Sequence, residues 1–316
     1  MPTNDAGRAL LELDGSMTIP VIDAHQHFWR MGVQRQPWRE PEHHAIARDY
    51  EPDHLAPLLE ASGVDGSVLM QSVDEPAEND RLLEFLRRAP FVCGIVAWLP
   101  LSDAVHARAE LARTQSALVR GVRCLVGDDP LDWLARPDTL RLFETLADRD
   151  LVWDVVPTTH EQVQAIRALS EHVPQLRIAV DHLGRPPVER AGWYPWADDM
   201  EDLASRQTIH MKVSIGIDLL SRWGGWNPES IAPYVHHVAS LFGARRLMLA
   251  SNWPVIELRA SYGAAWSALA EQLRLSLASP ASLAHAVGGT AIDAYRLDPH
   301  PTQSRSPAFR PDGMDA

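Results

Sequence analysis

The stretch Val-Ile-Asp-Ala-His-Gln-His, at residues 21–27, is a short apolar run that ends in two histidines. Its apolar and β-branched residues predict a buried strand. Seven further runs of this kind follow along the chain, and the amphipathic segments between them predict helices. The eight runs cover residues 21–27, 66–71, 91–98, 120–125, 151–156, 176–182, 208–214 and 246–252.

This alternation predicts an α/β protein with a (β/α)8 TIM barrel, because parallel strands need helical crossovers and eight such strands can close on themselves. A doubly wound open sheet is the competing architecture. It would carry a glycine-rich phosphate loop after an early strand, whereas the first run continues into Phe28 and Trp29 without glycine. We expect an N-terminal extension at residues 1–19, one barrel domain at 20–297 and a disordered tail at 298–316, which is rich in Pro, Ser and Asp.

The amino-acid composition and the net charge exclude several classes of binding partner. The 316 residues are 46% hydrophobic and carry a net charge of −13, which argues against binding to nucleic acid or to an anionic membrane surface. No apolar stretch has the length of a membrane span. The two cysteines, Cys93 and Cys124, lie in apolar runs and do not suggest a disulfide framework. We therefore expect a cytoplasmic protein that acts on a small molecule, with a homodimer as one option for its assembly.

The ends of the predicted strands carry the polar residues of interest, because the active site of a barrel lies at the carboxyl ends of its strands. Strand alternation places Asp23, His25 and His27 on one inward face. Two imidazoles two residues apart can converge on one metal ion or one substrate oxygen. His182 ends the sixth run, and its neighbour Asp181 is expected on the opposite face, where it would anchor the following loop.

Four further residues lie in the last part of other runs. Lys212 is the single lysine of the sequence, and alternation turns it inward, where an ammonium suits a carboxylate or a developing oxyanion. Arg123 could grip a substrate carboxylate or form a structural ion pair with Asp154. We predict Gln71, at the end of the second run, as a further substrate-binding residue. Asn252, at the end of the eighth run, is expected beside the histidines of the first strand.

Four motifs give the chain a family resemblance. They are His-Gln-His-Phe-Trp at residues 25–29, Asp-His-Leu-Gly-Arg-Pro at 181–186, Met-Lys-Val-Ser at 211–214 and Ser-Asn-Trp-Pro-Val at 251–255. Together they resemble the signatures of the amidohydrolase-2 family within the amidohydrolase superfamily. The likeness is to its lactonase branch, which includes L-fuconolactone and L-rhamnonolactone hydrolases and 2-pyrone-4,6-dicarboxylate lactonase.

The resemblance implies hydrolysis of a lactone, of the sugar-acid or the pyrone and muconolactone type, in carbohydrate or aromatic catabolism. It implies that His25, His27 and His182 bind a divalent metal, most often zinc, or polarise the lactone carbonyl directly in metal-independent members. Together with Asn252 they form the expected catalytic set. Lys212 and Arg123 would hold substrate oxygens, and indole rings would wall the pocket; the candidates are Trp29, Trp38, Trp193 and Trp253.

Two positions depart from the family pattern. Asn252 stands where aspartate is usual, and an amide can orient a water molecule but cannot accept its proton at neutral pH. It is either a natural variant in which a group such as His182 acts as base, an engineered replacement, or the mark of a protein that has lost catalysis. Cys124 stands where sugar lactonases often carry histidine, which weakens an assignment to one sugar lactone.

Two alternatives to a lactonase remain open from the sequence. A decarboxylase of the same superfamily would use a similar barrel with zinc, although its usual first-strand and eighth-strand signatures differ from those found here. A non-catalytic ligand-binding relative is the second alternative, and Asn252 is the feature that favours it.

Overall fold

The computed structural model describes residues 19–114, 116–190 and 192–298. Nearly all of the expected N-terminal extension and of the expected C-terminal tail lies outside the described residues.

Eight parallel strands form one sheet in sequential order, which confirms the predicted (β/α)8 architecture. Each strand lies within one of the eight apolar runs or extends it by a single residue. The strands are β1 (Ile22–Gln26), β2 (Gly66–Met70), β3 (Val92–Trp98), β4 (Val119–Arg123), β5 (Val152–Val155), β6 (Ile178–Val180), β7 (Ile209–Val213) and β8 (Leu247–Leu249).

Helices follow the strands and cover the barrel. Local sequence starts them: the Asp103 carboxylate accepts from two backbone amides of the first turn, and the Thr159 hydroxyl caps another helix in the same way. The helices are α1 (Pro52–Ala61), α2 (Pro76–Leu86), α3 (Ala104–Arg113), α4 (Pro137–Asp148), α5 (His160–His172), α6 (Trp196–Ala204), α7 (Ile217–Arg222), α8 (Ala232–Phe242), α9 (Tyr262–Ser276), α10 (Pro280–Ala284) and α11 (Thr290–Tyr295).

The two faces of the strands pack against different partners. One face contributes small and aliphatic side chains such as Ala24, Val96 and Ala179 to an inner cluster, which Ala294 and Tyr295 of α11 close at one end. The other face packs against the helices in a larger cluster. The inner cluster is therefore the barrel interior, and α11 plugs the end opposite the carboxyl termini of the strands.

The barrel is joined between its first and last strands by backbone that follows β8. The Asn252 amide donates to the His25 carbonyl at 2.9 Å, and the His27 amide donates to the Trp253 carbonyl at 2.8 Å. Within the described residues, the bridge between β1 and the last barrel segment pairs Gln26 with Trp253. We call this junction the seam.

The connections that follow β1 and β6 are long. The connection after β1 contains a 3-10 helix, Pro41–Ile46, and the connection after β6 contains a shorter one, Val188–Arg190. Among the helices of the described chain, none has both the length and the apolar composition needed to cross a membrane.

Candidate active site

A β-bulge in the first strand turns His25 toward the interior. Asp23 pairs in register with Ser67, but Gln26 pairs with Leu69, so β1 holds one more residue than β2 over this interval. The extra residue reverses the alternation. The expectation that Asp23 shares the inward face is therefore wrong, because its carboxylate accepts from the Ser251 hydroxyl and from the Tyr262 hydroxyl of α9.

A left-handed backbone conformation at the end of β6 brings two residues into the site instead of one. Asp181 lies on the inner face together with Ala179, and His182 has a φ of 55°, which breaks the extended geometry directly after it. Asp181 consequently contacts the interior groups, which corrects the expectation that it anchors the loop. The sequence signal that could have identified Asp181 is the small residue Ala179 two positions earlier on the same face.

The three predicted histidines meet at the carboxyl end of the barrel. The Nε2 atoms of His25 and His27 are 3.1 Å apart, and the rings of His25 and His182 have centroids 4.7 Å apart. Burial lowers the pKa of His27 to about 3 and that of His182 to about 4, and it holds the pKa of His25 well below its usual value. All three imidazoles are therefore neutral at physiological pH.

The hydrogen bond of His27 defines which of its nitrogens carries the proton. His27 Nδ1 lies 3.2 Å from the Met70 carbonyl oxygen, which only accepts, so His27 Nε2 bears a lone pair. His182 Nδ1 contacts the Ser214 hydroxyl at 2.8 Å. His25 Nδ1 lies 3.3 Å from both Asp181 Oδ1 and Lys212 Nζ. Each ring is thus oriented through Nδ1, as is common for histidines that bind a metal through the other nitrogen.

Beneath His25 lies a fully buried cluster of charged and hydroxyl groups, which we call the charge cluster. It consists of Asp154, Asp181, Lys212 and Tyr295. Lys212 forms ion pairs with the Asp154 carboxylate and, at 3.1 Å, with Asp181 Oδ1. The Tyr295 hydroxyl donates to Asp154 at 2.6 Å. Burial raises the pKa of Asp154 to about 6, although Lys212 opposes the shift. Burial also disfavours the Asp181 carboxylate, but Lys212, His25 and Arg123 hold its pKa well below the usual value.

Lys212 is inward-facing, as alternation requires, but the cluster already neutralises its ammonium. It is fully buried, and it is not among the side chains that line the cavity above. We therefore leave Lys212 out of the proposed substrate contacts and place it beneath the histidines, where it contacts His25 and Asp181.

Arg123 lines the cavity, and its nearest carboxylate is Asp181, with 3.8 Å between Nε and Oδ2. The alternative that it pairs with Asp154 is wrong, because among the described residues Arg123 forms its ion pair with Asp181 and Asp154 forms its own with Lys212. Its Nη1 has no hydrogen-bond partner among the described residues. Arg123 is therefore available to a ligand.

Asn252 lies on the cavity wall in a left-handed conformation, with a φ of 55°. Asparagine tolerates this region better than most residues. Its Nδ2 donates to the Ile215 carbonyl at 2.8 Å, a bond that a carboxylate could not make. The local structure thus fits an amide at this position.

The cavity has a volume of about 550 Å³ and opens at the carboxyl ends of the strands. Trp38 is the one predicted tryptophan in its described lining; Trp29 and Trp253 are fully buried against Tyr50, and Trp193 packs on Trp196. We therefore leave those three out of the substrate site. Residues of the connections after β1, β6 and β7 that were not predicted as site residues also line the cavity: Glu40, Glu42, His43, Arg185, Asp218, Ser221 and Arg222.

The donor set fits a divalent metal. Ligand atoms of His25, Asp181 and His182 all lie within 4.8 Å of one another, and His27 Nε2 lies 3.1 Å from His25 Nε2. Asp181 Oδ2 is buried and has no hydrogen-bond partner in the described chain. Neutral imidazoles with one carboxylate are the ligands that catalytic zinc sites use.

Comparison with known proteins agrees with this geometry. The family model for amidohydrolases matches residues 22–297. The chain belongs to the amidohydrolase family. An L-fucono-1,5-lactonase from Burkholderia ambifaria is 34% identical over 288 residues, covering 88% of this chain and 96% of the relative. An L-fucono-1,5-lactonase from Burkholderia multivorans is 29% identical over 295 residues, covering 90% and 98%.

Solved structures extend the comparison. An amidohydrolase from Burkholderia multivorans with bound zinc is 28% identical, with a TM-score of 0.78 over 88% of this chain and 100% of that one. A 2,6-dihydroxybenzoate decarboxylase from Rhizobium is 16% identical, with a TM-score of 0.57 over 88% of this chain and 99% of that one, and it shares the fold alone. Membership of the amidohydrolase family together with the histidine and aspartate cluster supports a divalent metal in this protein.

Proposed function

We propose that this amidohydrolase hydrolyses an uncharged lactone of a sugar acid. The observation that carries the proposal is the convergence of three neutral imidazoles at the floor of a cavity of about 550 Å³. The names of the two lactonase relatives support the reaction class. Ring opening adds water to the lactone carbonyl and breaks the ring ester bond, so the site must polarise a carbonyl oxygen and accept a proton.

The charges around the cavity favour a neutral substrate over a dicarboxylate. Arg185 pairs with Asp218 at 3.1 Å, and Arg222 pairs with Glu189 at 2.6 Å. Arg123 carries a buried nitrogen without a hydrogen-bond partner in the described chain. Glu40 and Glu42 add negative charge to the wall, which repels a substrate that carries two carboxylates. Hydroxyl groups, in contrast, can use both the carboxylate acceptors and the guanidinium donors.

His25 and Asp181 would hold the metal, which we propose is zinc, together with one of the two imidazoles of His27 and His182. When bound, such an ion polarises the carbonyl and lowers the pKa of a water molecule. Asn252 would orient the attacking water through its amide oxygen, since its nitrogen is committed to Ile215. Because an amide takes no proton at neutral pH, the proton must pass to whichever of His27 and His182 is not a metal ligand, and from there to the ring oxygen released when the ester bond breaks.

Two measurements test these assignments. Lactone opening, followed with a pH indicator, should occur with neutral aldonolactones and not with pyrone dicarboxylates, and it should be lost in His27→Ala. Absence of turnover with every lactone in wild-type protein would refute the proposed function.

Metal analysis of His27→Gln and His182→Gln separates ligand from proton acceptor. The variant that retains metal while losing turnover identifies the acceptor. Loss of metal in both variants would mean that both residues are ligands, and it would overturn the assignment of the proton to either.

A further inference from the structure

Gln71 carries a buried carbonyl oxygen that lacks a partner. The residue directly follows β2, is fully buried and forms part of the cavity wall. Its Nε2 donates to Asp74 Oδ1 at 2.9 Å, while its Oε1 has no hydrogen-bond partner among the described residues. A buried acceptor left without a partner is unfavourable, so a ligand group that donates to it would be favoured.

Asp74 fixes which end of the amide remains open. A carboxylate only accepts hydrogen bonds, so the Gln71 side chain must turn its nitrogen toward Asp74 and leave its oxygen free. Both Asp74 oxygens also accept from the Leu125 amide, each at 3.1 Å. The carboxylate therefore connects the loop after β2 to the loop after β4 and holds the amide in one orientation.

A donor without a partner lies on the same wall. Arg123, at the end of β4, is two residues from Leu125, and its Nη1 lacks a partner within the described chain. The wall thus offers one acceptor from Gln71 and one donor from Arg123. A hydroxyl group can satisfy both kinds of atom, whereas a carboxylate or a ring ether oxygen can only accept.

We propose that Gln71 selects lactones that carry a hydroxyl group donating to its carbonyl oxygen, and that Asp74 is the positioning residue that sets this orientation. The inference rests on the proposed lactone hydrolysis. It names the recognised group, a ring or side-chain hydroxyl, and a residue outside the cluster of histidines that makes the recognition possible.

The test compares a hydroxylated aldonolactone with its monodeoxy analogues in wild-type protein and in Gln71→Met. The variant keeps side-chain length but removes the carbonyl. We expect KM for the full substrate to rise about tenfold, which corresponds to about 1.4 kcal/mol. For the one analogue that lacks the recognised hydroxyl, wild type and variant should have the same KM.

Two substitutions of Asp74 test its positioning role. Asp74→Ala frees the amide to rotate and should raise KM about threefold for the full substrate, with kcat preserved. Asp74→Asn retains one acceptor oxygen and should restore part of the loss. Asp148→Asn, an exposed carboxylate at the end of α4, is the matched control and should behave as wild type.

The outcomes separate this inference from the proposed function. Equal losses on every analogue would show a merely structural effect, and an unchanged KM in Gln71→Met would show no contact; either result overturns the inference while lactone hydrolysis stands. If wild-type protein opens no lactone at all, the proposed function fails first and this inference falls with it.

Discussion

Two regions of the barrel pair a basic side chain with carboxylates. One is the buried charge cluster beneath His25, and the other is the set of partly exposed ion pairs at the cavity mouth. In the cluster, the Lys212, Asp154 and Asp181 side chains are 0% exposed. At the mouth, the Arg185 and Asp218 side chains are 28% and 22% exposed. Water can replace a lost partner at the mouth but not in the cluster, so the two regions should respond very differently to substitution.

Lys212→Met should have the largest effect on stability. It removes the cation and leaves two buried carboxylates unneutralised, which should lower the free energy of unfolding by about 3–5 kcal/mol. Arg185→Met is the matched change at the mouth and should cost less than about 1 kcal/mol. Urea unfolding of both variants measures the contrast. Similar losses in the two would mean that depth does not separate these regions.

Asn252→Asp places a new charge close to the cluster without giving it a cation. The carboxylate would face the Ile215 carbonyl oxygen in place of an amide donor, so we expect a loss of about 1–3 kcal/mol. Asn252→Gly keeps the left-handed backbone accessible and adds no repulsion, so it should lose less. Thermal unfolding of both variants gives the order. An Asp variant as stable as wild type would contradict the role assigned to the Ile215 bond.

Tyr295→Phe should show a smaller effect within the cluster. It removes the hydroxyl that donates to Asp154 but leaves Lys212 paired with that carboxylate. We expect a loss of about 1–2 kcal/mol in urea unfolding. Tyr194→Phe, which alters an exposed ring, provides the control and should be neutral. A loss as large as that of Lys212→Met would indicate that the hydroxyl, and not the ammonium, organises the cluster.

The reactivity of Cys124 tests how far this position of the cavity wall is shielded from solvent. The experiment measures labelling of the thiol and requires no substitution. Burial raises the pKa of its thiol to about 12. Because only the thiolate reacts, alkylation by iodoacetamide at pH 8 should be more than tenfold slower than in urea-unfolded protein, and it should accelerate as pH rises. Mass spectrometry of the peptide that contains Cys124 measures the rate. Equal labelling of native and unfolded protein at pH 8 would refute the assignment.

Much of the architecture was predictable because its signals are local and periodic. The eight apolar runs correspond to eight strands, and the apolar face of Ile209, Met211 and Val213 packs toward the helices, which turns Lys212 inward. The meeting of His25, His27 and His182 followed from the rule that barrel strands end at a common rim.

The remaining features depend on backbone irregularities that period-two alternation cannot represent. One extra residue in β1 separates Asp23 from the inward face, and the positive φ of His182 allows it to join Asp181 in the site. The partner of Arg123 depended on competition for Asp154 between side chains of three strands. Most of the charged side chains of the cavity wall come from the connections after β1, β6 and β7, whose course is set by tertiary contacts such as the hydrogen bond between His43 and Ser221.

The backbone of the seam both closes the barrel and positions residues of the active site. His25 and Trp253 supply the carbonyls that hold the first strand against the segment after β8, and the amides they accept belong to Asn252 and His27. Local opening that breaks these hydrogen bonds would separate Asn252 from His25. A ligand that contacts both sides of the seam would stabilise the closed barrel. The frequency of local opening at the seam should therefore fall as the fraction of protein with bound ligand rises.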